Sequence, residues 1–230
     1  MWLTRLRRHR ARRRYANHPF PEPALQKLLA MHWPDTGQPW HEASWLAVDL
    51  ETTGLDPRTG YIISIGWVAI DGGSIRLSTA RHLLIDSRNL VGDSATIHHI
   101  RDSDRWEGVE LSAALLMLAH ALTGRIALMH HAPLDTGFLR SALREQFGFD
   151  WFHPTADTLE LEKKRLFQRE QTLPRNSLKL NTCRERYGLP KTQAHNALED
   201  ALATAELFLA WANHYGRRGP RVRDCLTSRP

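Results

Sequence analysis

Tyr61–Ile70, rich in β-branched and aromatic residues, is separated from a second strand-like run, Ser74–Ile85, only by Asp71-Gly72-Gly73. So short a turn, with glycines free to take positive φ, makes the runs pair antiparallel as a hairpin. A third strand-like run, Trp45–Asp49, precedes them across a loop marked by Gly54, Pro57 and Gly60. Beyond the hairpin the period changes. Leu111–Leu122 reads as a strongly apolar helix ending near Gly124, Arg125–His130 as a short buried strand, and about Pro133–Phe147 as a helix. Helical patterns recur near Thr158–Gln168, at Leu178–Tyr187 before Gly188 and Pro190, and at Ala197–Asn213. Hairpin strands followed by strands alternating with helices specify an α/β fold: a mixed β-sheet flanked by helices.

The 230 residues, 42% hydrophobic and 24% charged, suffice for one cored domain plus extensions. No apolar run approaches the ~20 residues of a bilayer span, so no membrane partner is expected. The basic start has no hydrophobic stretch behind it, which argues against a secretory signal. With only Cys183 and Cys225 there is neither a disulfide framework nor a thiolate metal cluster, and a cytoplasmic setting is expected.

The net charge of +6 is unevenly spread. Residues 1–18 hold seven arginines and no acid, residues 216–230 balance at +4, and the remainder carries −5. Two readings stay open for such ends: attraction to phosphate backbones, or plain solvation. Pro23 suits the first turn of a helix through Ala24–His32. The expected division is a basic accessory arm over 1–43 with a short helix, a folded domain over 44–215, and a basic tail over 216–230. The arm is expected to bind nucleic acid or a protein partner.

Three constellations carry chemistry. In Asp49-Leu50-Glu51-Thr52-Thr53-Gly54, residues i and i+2 of a strand place Asp49 and Glu51 on one face, away from Val48 and Leu50. Adjacent carboxylates repel unless a cation lies between them, and Mg²⁺ prefers such hard oxygens. A lone Asp-x-Glu is more often a solvated strand end. In His130-His131-Ala132-Pro133-Leu134-Asp135, Asp135 falls in the first turn of a helix, where an acid also serves the macrodipole. In His195-Asn196-Ala197-Leu198-Glu199-Asp200, Asn196 and Glu199 have capping-box spacing, so the helix starts at Ala197. His195 then stands on the loop and Asp200 one turn in, and both can reach one site.

Together, Asp-x-Glu-Thr-Thr-Gly, His-x-Ala-x-x-Asp-x-x-Phe-Leu and His-x-Ala-x-x-Asp-Ala resemble the DnaQ-like DEDDh 3′→5′ exonucleases, the family of bacterial proofreading subunits. The similarity runs from about Trp45 to Trp211, echoed by Ile97-His98-His99-Ile100, Asp157-Thr158-Leu159 and Asn176-Ser177-Leu178. The resemblance implies a ribonuclease H-like fold and two divalent metal ions, Mg or Mn, on Asp49, Glu51, Asp135 and Asp200. It implies His195 as general base, Thr52, Thr53 and Leu55 near the terminal nucleotide, and His98 near the scissile phosphate. The implied substrate is nucleic acid with a free 3′ end. An exoribonuclease of the same fold and a catalytically silent binding module remain the alternatives. Where the family commonly carries Asn and Phe, this chain has His131 and Leu134.

Overall fold

The computed structural model describes residues 6, 9, 10, 13, 15, 22–86, 108–168, 172–192, 195–216 and 219–227. Five strands form one mixed sheet in the order β3-β2-β1-β4-β5. They are β1 (Trp45–Thr52), β2 (Ile62–Asp71), β3 (Ser74–Leu84), β4 (Ile126–Met129) and β5 (Thr155–Asp157). β1 pairs antiparallel with β2 and parallel with β4, so it sits where the sheet changes direction. The β2–β3 hairpin closes from Asp71 to Ser74 through Gly72 and Gly73 at φ 61° and 70°, as the turn signal requires.

The helices are α1 (Pro23–Ala30), α2 (Leu111–Leu122), α3 (Ala132–Phe147), α4 (Thr158–Phe167), α5 (Leu180–Glu185), α6 (Ala197–Asn213) and the single turn α7 (Val222–Cys225). Strand alternation divides the interior in two. Leu46, Val48 and Leu50 face α1, α2 and α3 through Leu25, Leu118 and Leu139. Trp45 and Ala47 face α6, α4 and α7 through Phe208, Leu161 and Val222. Asp49 and Glu51 continue the second row, on the α6 side, where the apolar contacts end.

Several bounds differ from the sequence reading. β1 runs on through Glu51 to Thr52, with a register irregularity between those two residues. β5 has no three-residue signature of its own and exists by pairing with β4. The helix expected over Leu178–Tyr187 is shorter, because Asn176 adopts φ 67° and turns precede Leu180. Residues 219–227, within the stretch read as a tail, are tied to the domain. Val222 and Arg223 donate backbone N–H bonds to Gln38 and Thr36 carbonyls, and Thr227 to Thr155. Leu6, His9, Arg10, Arg13 and Tyr15 are helical, and the Tyr15 hydroxyl donates to the Gly148 carbonyl at 2.9 Å. Among the described residues no helix is long and apolar enough to cross a membrane.

Candidate active site

At the carboxyl end of β1 three side chains converge. One oxygen each from Asp49, Glu51 and Asp200 lies within 4.8 Å of the others. Asp49 and Glu51 arrive by strand alternation. Asp200 arrives on the first turn of α6, which Asn196 starts: its side-chain oxygen accepts from the Leu198 and Glu199 backbone N–H groups, both at 3.1 Å.

A glycine sets how closely that turn approaches. Gly66 on β2 is the register partner of Asp49. A Cβ on Gly66 would lie 2.1 Å from the Ala197 carbonyl carbon and 2.3 Å from the Leu198 nitrogen. Only a bare Cα lets the α6 backbone rest on the sheet beside Asp49.

His195 stands just before the cap with φ 76°, exposed, and its backbone N–H donates to Asp200 Oδ2 at 3.1 Å. Asn181 brackets Thr192 through its amide at 3.1 Å both ways, and buried Arg184 reaches the Pro190 and Ala203 carbonyls.

Asp135 comes from the opposite side of the sheet, over the end of β1, on the first turn of α3. It is buried, and the Leu50 backbone beside it acts to lower its pKa against that burial. It stands outside the three-oxygen group but close enough to press electrostatically on Asp49. The start of α3 hangs on Asp157, whose carboxylate accepts from His131, Ala132 and Leu159 N–H at 2.9, 3.0 and 3.0 Å. His130, the other histidine of that turn, is locked between the Thr158 hydroxyl at 2.8 Å and the Leu178 carbonyl at 2.9 Å. Burial pushes its pKa down to about 4, so it serves as a neutral pin.

The carboxylates resist ionising together. Burial, then Asp135, Asp200 and Glu51, push the Asp49 pKa up to about 9. Burial and then Asp200 raise Glu51, with His195 opposing; burial raises Asp200, against the His195 N–H bond. Burial and then Asp157 hold Asp135 well above the carboxylate range. No lysine or arginine forms a salt bridge with any of the four among the described residues. All-oxygen donors, crowded and unneutralised, fit hard divalent cations.

The loop after β1 is self-contained. Thr52 Oγ1 donates to the Gly54 carbonyl at 2.7 Å, and Thr53 exchanges bonds with the Tyr61 backbone, its hydroxyl oxygen accepting at 2.9 Å. Leu55 is 81% exposed on its rim. His98 lies outside the described residues. The sequence does not single out Gly66, because a lone glycine in a β-run carries no sign of what packs on it. Asp157 was visible only as part of the Asp-Thr-Leu echo.

A family model described as exonuclease, RNase_T, matches residues 46–208. The chain belongs to that exonuclease family. It is 34% identical over 168 residues to a DNA polymerase III PolC-type of Thermotoga maritima, covering 73% of this chain but 12% of that protein. It is 28% identical over 181 residues to the DNA polymerase III subunit epsilon of Treponema pallidum, covering 77% of this chain and 81% of the subunit. Among solved structures, an E. coli ExoI–ssDNA complex superposes with TM-score 0.64 at 16% identity, over 76% of this chain and 42% of ExoI. Cell-death related nuclease 4 superposes with TM-score 0.60 at 14% identity, over 75% of this chain and 64% of that one. The fold is thus the ribonuclease H-like fold of DnaQ-like exonucleases, and the chain is a nuclease-type hydrolase with an acidic group suited to a divalent metal.

Proposed function

We propose that the protein is a metal-dependent 3′→5′ exonuclease, with single-stranded DNA as its preferred substrate and nucleoside 5′-monophosphates as product. The observation that carries this is the convergence of Asp49, Glu51 and Asp200 within 4.8 Å, with His195 bonded to the last. Asp49, Glu51, Asp135 and Asp200 would hold two divalent ions, Mg or Mn. Such ions, when bound, supply a nucleophile at neutral pH and charge stabilisation for the leaving 3′ oxygen. His195, on an exposed loop end, accepts the proton of the attacking water. Its backbone bond to Asp200 ties the position of that base to the carboxylate cluster. Thr52 and Thr53 shape the loop that carries Leu55 to the rim, where Leu55 meets the terminal base; His98 is assigned to the scissile phosphate by resemblance.

The epsilon and PolC-type relatives support a DNA substrate, and the ExoI neighbour was solved with single-stranded DNA. The basic amino-terminal arm adds a contact to nucleic acid or to a protein partner. A cytoplasmic setting fits two cysteines that are both buried and unpaired.

The test is release of mononucleotides from matched DNA and RNA oligomers labelled at either end, with Mg²⁺ or Mn²⁺. Labelled monophosphate should leave 3′-labelled DNA first and vanish with chelator or in Asp49→Ala. Equal activity in Asp49→Ala would sink the site; faster RNA turnover would move the substrate to RNA.

A further inference from the structure

A cavity of about 610 Å³ opens far from the carboxylates, between the end of α4, the end of α6 and the α7 turn. Along α6, Asp200 and His214 are about 21 Å apart at ~1.5 Å per residue. Lys164 and Arg165 project into the cavity from α4 and Arg186 from just beyond α5, while Trp211 and Tyr215 line its α6 side.

The guanidiniums are preset. Buried Glu162 accepts from Arg165 Nε and Nη2 at 3.0 and 3.2 Å and from Arg186 Nη1 at 3.3 Å. Arg165 also lies over the Tyr187 ring, 5.0 Å from its centre. Among the described residues its Nη1 has no hydrogen-bond partner and Lys164 has no ion pair. Tyr215 is half exposed, its ring 5.2 Å from that of buried Trp211. Asp224 also lines the cavity, and its carboxylate already accepts the Arg221 backbone N–H at 2.9 Å. Arg221 and Arg223 beside it are exposed, so the basic carboxyl-terminal stretch borders this cavity.

Fixed cations around an exposed aromatic wall match what single strands use: phosphates on the cations and a base on the ring. We propose that this cavity is a second nucleic-acid contact, holding a nucleotide several steps upstream of the 3′ end on Lys164, Arg165 and Tyr215. The proposal rests on the exonuclease reading for its choice of ligand. It separates length-dependent grip from chemistry. A dinucleotide cannot span the two places, whereas an oligomer of about 16 nucleotides can.

The experiment measures binding of a fluorescent single-stranded DNA of about 16 nucleotides by anisotropy, in chelator, across a salt series. Lys164→Ala and Tyr215→Ala should each weaken binding about tenfold. The salt slope should fall by about 0.7 in Lys164→Ala and recover in Lys164→Arg. Dinucleotide turnover should be unchanged in both alanine variants. Unchanged affinity and slope would overturn the proposal, as would equal losses on the dinucleotide. Binding of an acidic peptide there, with oligomer affinity untouched, would also overturn it in favour of a protein partner. If wild type cleaves nothing yet binds the oligomer through Lys164, the exonuclease reading fails and the second contact stands.

Discussion

Two groups of buried and half-buried acids in this molecule are treated in opposite ways. Glu162 is fully buried, yet Arg165, Arg186 and the Tyr187 hydroxyl all bond to it. Asp49, Glu51, Asp135 and Asp200 press on each other, and among the described residues no arginine or lysine forms a salt bridge with them. A buried charge is tolerated when the protein supplies its partner and costs stability when it does not. The first group is therefore structural. On the proposed function the second would be completed by cations from outside, and its cost to the fold is what a site kept for chemistry would carry.

Substitutions should split along that line. The largest effect is on turnover: Asp200→Asn should lower it by about a thousandfold or more, ~4 kcal/mol, while the chelated variant melts no lower than wild type. Removing a charge from a repelling cluster relieves the metal-free fold. Calorimetry beside single-turnover rates checks both halves, and a variant that lost stability in proportion to activity would break the comparison.

Gly66→Ala comes next. Its Cβ must move from 2.1 Å to an ordinary ~3.5 Å from the Ala197 backbone, so the first turn of α6 shifts by more than about 1 Å and carries Asp200 and His195 with it. Displacement on that scale costs about a hundredfold in rate. The kinetic signature is a lower kcat with a raised Mg²⁺ requirement and an unchanged dinucleotide KM. A normal kcat would show that the close approach does not set the site.

Glu162→Gln should do the reverse, costing about 2 kcal/mol of stability while the folded fraction keeps its rate. The figure is below that of a fully buried pair because the Arg165 and Arg186 side chains are 25% and 24% exposed. Urea unfolding against specific activity reads it, and an equal fall in activity would tie Glu162 to the chemistry.

How much of this the residues announce depends on the range of the interaction. Asp49 and Glu51 follow from strand alternation, and the start of α6 from Asn196, because both rules act within a few residues. By sequence alone Asp135 is indistinguishable from an ordinary helix-start acid; only its place over the end of β1 sets it apart. Gly66, Glu162 and the three residues of β5 act through contacts distant in sequence, which leave no local pattern. The stretch 219–227 is the sharpest case: it lies within 216–230, whose five arginines leave phosphate attraction and plain solvation both open, yet Val222 and Cys225 are fully buried.

The smallest effect tests the cost of the unpartnered cluster directly. Asp49 has an ordinary pKa near 3.8 and is pushed up to about 9 in the fold, first by burial and then by its three acidic neighbours. A carboxyl group so raised holds a proton in the native state that the unfolded chain has released. Over that window the native state binds more protons, so stability must fall as pH rises from about 4 to about 9. Glu51, Asp135 and Asp200 are raised as well and act with the same sign. In chelator the melting temperature should therefore decline across this range by a few degrees. Saturating Mg²⁺ should flatten the decline, because the cation replaces the proton, and Asp49→Asn should flatten it without metal. A melting temperature that rises with pH in chelated wild type would mean that a cation of the chain itself neutralises the cluster.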